Sequence, residues 1–260
     1  MLGALIGCIL ALTGAGGAIL AIPLLTFGLG LNLQQAAPIA LLAILVASSI
    51  GAIQGLSQGL VRYKTAMLIA LLGIICAPVG VALAHWLPLP MLNGLFAGIL
   101  LSVALRSWQY AKFEHINNQD IPAPSCTINP ATTRLFWTAR CTRRLLSTGA
   151  LSGLLSGLLG VGGGFVIVPS LQRFSNFNPA TIVATSLAAI AIITASSLAA
   201  HGIKATIDWQ IAIPFTLSAA FTMLALGALR ERVPNALRQR GFAILCIIAA
   251  LYLAINAVKV

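Results

Sequence analysis

Eight apolar stretches alternate with polar breaks along the 260-residue chain, at about 2–28, 36–56, 65–87, 91–110, 145–171, 180–200, 209–229 and 241–258. Each is close to the roughly 20 residues that a helix needs to cross a bilayer. The longest polar run, Gln109 to Arg144, divides four stretches from four. The pattern predicts an all-α polytopic membrane protein of about eight transmembrane helices. Its expected parts are a first four-helix repeat at 1–110, a hydrophilic linker at 111–144 and a second four-helix repeat at 145–260. The first stretch starts at Met1 without a basic leader or a small-residue cleavage site. It is expected to belong to the fold and not to be a removable signal.

Two of these stretches carry an unusual interruption. Gly160-Val161-Gly162-Gly163-Gly164-Phe165-Val166-Ile167-Val168-Pro169 has a degenerate copy 146 positions earlier, Gly14-Ala15-Gly16-Gly17-Ala18-Ile19-Leu20-Ala21-Ile22-Pro23. Glycine costs a helix about 1 kcal/mol relative to alanine, and proline removes a donor and crowds the preceding turn. Loosened backbone at membrane depth persists only where protein or a watery cavity satisfies its polar groups. The reading is a broken or tightly packed helix beside a polar site, with Gly14, Gly16, Gly17, Pro23 and Pro169 as structural breaks. The same 146-residue offset pairs Gly3-Ala4 with Gly149-Ala150, Gly7 with Gly153, Val61-Arg62-Tyr63 with Ile207-Asp208-Trp209, and Phe96-Ala97 with Phe242-Ala243. An internal repeat follows. Gly3/Gly7 and Gly149/Gly153 each form Gly-x-x-x-Gly, which lets helix backbones approach closely.

Composition agrees with the pattern. Charged residues make up only 7% of the chain against 59% hydrophobic, too few charges to cover a soluble surface. The net charge of +11 sits between apolar stretches, as in membrane proteins with basic cytoplasmic loops, so nucleic acid is not an expected partner and the lipid bilayer is. Counted over eight plain crossings, the end holding both termini and the linker collects ten basic residues and the other end five. That places termini and linker together in the cytoplasm. Arg230, Arg232, Arg238 and Arg240 oppose this count. They fit better if the halves are inverted, which a helix broken at the glycines would permit. No spacing of Cys and His suggests a metal site, and a Cys126–Cys141 disulfide is an option that a reducing cytoplasm would disfavour.

No Asp or Glu falls within an apolar stretch, which argues against a cation substrate and excludes an intramembrane aspartyl protease. There is no Gly-x-Ser-x-Gly, and Ser186 and His201 would stand about four turns apart on one helix, too far for a nucleophile pair. No nucleotide-binding motif appears, so neither a cofactor nor an enzymatic activity is expected. Candidate anion contacts are the backbone of Gly160, Gly162, Gly163 and Gly164, the hydroxyls of Thr185 and Ser186 in the next stretch, and His201 at that stretch's end. N–H groups at a broken helix end beside hydroxyls can hold an oxyanion without an arginine. Hydroxyls in membrane helices also commonly bond back to a carbonyl one turn away. The first half has Leu41-Leu42 in place of Thr185-Ser186, and Ala18 in place of Gly164.

The run Gly160-x-Gly162-Gly163-Gly164-Phe165-x-x-Val168-Pro169, then Ala184-Thr185-Ser186, His201 and Ile207-Asp208-Trp209, resembles the sulfite exporter TauE/SafE family of bacterial membrane transporters. The resemblance covers nearly the whole chain. It implies a four-plus-four helix carrier of the bacterial inner membrane that exports sulfite, sulfonates or other small organosulfur anions. Two rivals stand beside it: a membrane scaffold or assembly factor that uses glycine only for packing, and a carrier for an unrelated small metabolite.

Overall fold

A computed structural model describes residues 2–113, 126, 138–202, 207–227 and 235–259. The described residues are helical almost throughout: α1 Leu2–Thr13, a 3-10 turn at Gly14–Leu20, α2 Ala21–Leu29, α3 Leu33–Ser57, α4 Tyr63–Trp86, α5 Leu89–Phe113, α6 Ala139–Leu159, α7 Gly164–Phe174, α8 Pro179–Gly202, α9 Trp209–Gly227 and α10 Asn235–Lys259. Four helices are long and apolar enough to cross a membrane over Leu33–Ser57, Tyr63–Trp86, Pro179–His201 and Trp209–Leu226. Shorter apolar helices accompany them.

The first and fifth apolar stretches are not single helices. Both break at their glycines and double back. Around the second break, Arg144 near the start of α6 lies over the Phe174 ring at the end of α7, 4.6 Å from its centroid. The Cys126 N–H donates to the Phe174 carbonyl at 2.9 Å, and Cys126 is disulfide-bonded to Cys141 with 5.2 Å between Cα atoms. Around the first break, a Cβ added to Gly28 near the end of α2 would run into Leu2 at the start of α1. The disulfide takes up the option that the sequence left open for these two cysteines. The doubling back of α7 along α6 gives Cys126 a backbone partner beside Cys141.

Direction along the bundle then follows from contacts. Added Cβ atoms on Gly149, Gly153 and Gly157 of α6 would overlap the carbonyls of Ile69, Gly73 and Ala77 on α4, so these helices run parallel. Gly3 and Gly7 of α1 meet the carbonyls of Phe215 and Ala219 on α9 in the same way. The contacted residues repeat the 146-residue offset: Ile69 with Phe215, Gly73 with Ala219. Between these pairs α3 runs antiparallel to α8: Gly160 touches Ala37, Gly162 touches Ile44, Ile190 and Thr194, Gly51 touches Leu187, and Gly55 touches Ala184. The remaining long helices, α5 and α10, pack on each other. The Phe27 and Tyr252 rings stack edge to face at 5.0 Å, which brings the end of α10 to the end of α2.

One end of the bundle therefore holds the start of α1, the ends of α2, α4, α8 and α10, and the starts of α3, α5 and α9. The linker leaves and re-enters at the other end. This corrects the arrangement expected from eight plain crossings, in which linker and termini shared an end. Hydropathy marks where chain is apolar but not where it turns round. The reversal bears on the conflict in the charge count, of which Arg230 and Arg232 lie outside the described residues. Arg62, Lys64, Arg106, Lys112, Arg140, Arg143, Arg144, Arg173, Arg238 and Arg240 all belong to helix ends or turns at the linker end. Among the described residues, Lys259 alone is basic at the terminal end.

Candidate functional site

Thr138 caps α6, its hydroxyl accepting from the Cys141 N–H at 3.2 Å, and Gly160 ends the helix in a left-handed conformation with φ +71°. Gly162 and Gly163 follow at φ +70° and +67°, and Gly163 stands at the N-cap of α7. Three left-handed residues within four positions are accessible to glycine at little cost, whereas an L side chain there costs about 1–2 kcal/mol each. The backbone thus turns from the terminal end back to mid-bundle, where α7 starts. The first half reaches a similar reversal differently, through the tight 3-10 turn Gly14–Leu20, which packs on α7 and α8. Neither proline stands at a break, which corrects that part of the sequence reading. Pro23 is the third residue of α2, where a missing N–H costs no helix bond, and Pro169 lies inside α7.

Two consequences follow for the glycine positions. A Cβ on Gly163 would overlap the side-chain and backbone oxygens of Ser152, and one on Gly162 would stand 2.9 Å from Ile44 Cγ2. Gly163→Ala should therefore lower the melting temperature of the purified protein before any effect on substrate is read. A variant with wild-type melting would contradict the left-handed turn.

The hydroxyls around the break come from α6 and α8. Ser152 Oγ donates to the Gly163 carbonyl at 3.1 Å and holds the turn against α6. Ser156 and Ser197 share a buried hydrogen bond of 2.9 Å between α6 and α8. Thr194 faces Gly162, its Oγ1 3.2 Å from where a Cβ would stand, fully buried and without a hydrogen-bond partner. His201 lies two turns beyond on the same face of α8. Its Nδ1 is 3.1 Å from the Ser197 carbonyl, so Nδ1 carries the proton and Nε2 remains for other partners. His201, His85, Gln34, Ala37 and Leu158 line a cavity of about 30 Å³ at the terminal end. That is room for about two waters.

The structure does not bring the predicted residues to one place. Gly160, Gly162, Gly163 and Gly164 are buried at the break. Thr185 and Ser186 are buried near the start of α8, at the linker end, roughly 12–13 Å along the helix from Thr194. Thr185 Oγ1 accepts from the Arg62 N–H at 3.0 Å and so caps the start of α4. The equivalent helix α9 caps itself, with Asp208 Oδ1 accepting from the Gln210 N–H at 3.0 Å. Ser186 Oγ donates to the Val183 carbonyl at 2.9 Å, within its own turn. Sequence adjacency to the glycine motif drew attention to this pair. The residues that meet the glycines, Ser152 and Thr194, carry no local pattern in the sequence that separates them from other hydroxyls.

Comparison with known proteins now adds to the geometry. The family described as Sulfite exporter TauE/SafE matches residues 1–253. The chain belongs to the sulfite exporter TauE/SafE family. Two relatives from Xylella fastidiosa each bear the name probable membrane transporter protein. That of strain Temecula1 is 29% identical over 96% of this chain and 91% of its own length, and that of strain 9a5c is 28% identical over the same shares. No solved structure matches the chain. As a TauE/SafE protein it is a multi-pass membrane protein of a transporter family, and the glycine break lies inside the region the family covers.

Proposed function

We infer that this TauE/SafE protein is a secondary carrier of the bacterial inner membrane that exports sulfite or a related small sulfur-containing anion. The observation that carries the reading is the start of α7 in mid-bundle, among buried hydroxyls, in a set of described helices that contain no Asp or Glu. Unpaired N–H groups at a helix start favour an anion, and a site free of carboxylates does not repel one. The family's description supplies sulfite as the first substrate to try.

The reading includes two inverted repeats, each a re-entrant hairpin followed by three crossings: α1–α2 with α3, α4 and α5, and α6–α7 with α8, α9 and α10. Three things support it: the 146-residue offset, the exchange of contacts between halves (α1 on α9, α6 on α4) and the opposite directions in which the hairpins enter. The basic linker end is then cytoplasmic.

Purified protein in proteoliposomes is expected to carry sulfite in preference to a carboxylate, in a panel of sulfite, sulfoacetate, thiosulfate, sulfate and carboxylates. Preference for a carboxylate would turn the reading to another metabolite, and no flux of any anion would favour a scaffold.

A further inference from the structure

Resting on that reading, the proposal here concerns a residue and a path that the motif does not include. A buried hydroxyl without a partner loses about 1–3 kcal/mol, so native structures rarely keep one without a use. Among the described residues two side chains are in that state, Thr194 and Thr216. Thr216 lies on α9, beside Phe215, which packs on Gly3. Thr194 lies against Gly162, next to the start of the eleven-residue helix α7, where the N–H groups of Val166 and Ile167 donate to the Gly163 carbonyl and those of Gly164 and Phe165 precede any intrahelical acceptor. A hydroxyl needing an acceptor beside N–H groups needing acceptors is a site for a ligand that brings only acceptors. A small oxyanion does that.

Thr194 does not stand alone. Positions 194, 197 and 201 follow one another on one face of α8, and Ser197 meets Ser156 across from α6. The row runs from the glycine turn to His201 and the cavity it shares with His85 and Gln34 at the terminal end. Thr194 and Ser197 are fully buried and His201 nearly so, so the row is closed in this conformation. We propose that the Thr194 hydroxyl completes an oxyanion seat at the start of α7, and that Ser197 and His201 line the anion's way from that seat to the terminal-end cavity.

The test is sulfite flux in proteoliposomes, with melting temperature measured in parallel without anion, for wild type, Thr194→Val, Thr194→Ala, Thr194→Ser and Thr216→Val. Losing a hydrogen bond to a charged group should weaken apparent sulfite affinity roughly 10- to 150-fold in Thr194→Val, while Thr194→Ser stays within about threefold of wild type. Thr216→Val, which also removes an unpartnered hydroxyl, should leave affinity unchanged. If Thr194→Val does not fold, Ala against Ser decides, since both lack the methyl and only Ser keeps the hydroxyl. Equal affinities for that pair, or wild-type affinity in Thr194→Val with a raised melting temperature, would overturn the seat while leaving the carrier reading intact. Absence of sulfite flux in wild type would overturn the reading beneath it and the seat together.

Discussion

A reporter fused into the linker at Asn118 is expected to read cytoplasmic, and one fused at Val260 periplasmic. The two positions differ because the α1–α2 and α6–α7 hairpins each return to the end from which they started. On the proposed architecture each half makes three crossings by α3–α5 or α8–α10, an odd number, so the linker lies opposite both termini. Among the described residues, ten basic ones stand at helix ends and turns on the linker side against Lys259 on the other, and these set the sign. Each Lys or Arg near a membrane face biases insertion towards leaving that face inside, and the Cys126–Cys141 disulfide at the same end is the feature that points the other way. Matching cytoplasmic readings at both sites would mean that the first and fifth stretches cross as single helices. The contact between Arg144 and Phe174 would then have to be absent.

The second large effect is on folding. Gly153→Leu should abolish folded protein, measured as the monodisperse fraction after detergent extraction. An added Cβ at Gly153 overlaps the carbonyl oxygen of Gly73, backbone against backbone, and Gly149 and Gly157 lie equally close to α4 one turn either side. No rotamer change relieves such an overlap; only separation of α6 from α4 does. Overpacked cores commonly lose about 1–3 kcal/mol, and a branched four-carbon side chain between touching backbones should exceed that range. Gly94→Leu and Gly98→Leu on α5 are the controls, since nothing lies within 4 Å of an added Cβ at either. They should extract like wild type. Normal yield for Gly153→Leu would refute the α4–α6 contact.

Much of this was legible in the chain. Apolar stretches gave the helices, because membrane helices must satisfy every backbone group internally and so stay continuous until something breaks them. The run Gly160 to Gly164 announced a break because left-handed backbone is rarely open to other residues. Gly3, Gly7, Gly149 and Gly153 announced close packing because their absence of side chain is useful only where another backbone arrives. What stayed hidden depends on depth and direction. Thr185 stood out by its place in the sequence, yet a helix advances about 1.5 Å per residue, and nine residues carry it from the glycines to the far end of α8. Thr194 and Ser152 had no signature, because what marks them is the partner across an interface. The same is true of Cys126 and Cys141, which meet through the turning back of α7.

The clasp of each hairpin by a helix of the opposite half has a consequence for how the protein is made. The ribosome finishes α1 roughly 200 residues before it begins α9, the helix on whose backbone Gly3 and Gly7 close. At about 5–20 residues per second that is a wait of roughly 10–40 s. Through that interval the glycine-lined side of the first hairpin has no permanent neighbour. The second hairpin faces no such delay, since α4 is already in place when α6 emerges. Biogenesis of the first hairpin therefore depends on whatever shelters it in the insertion machinery until the seventh apolar stretch arrives.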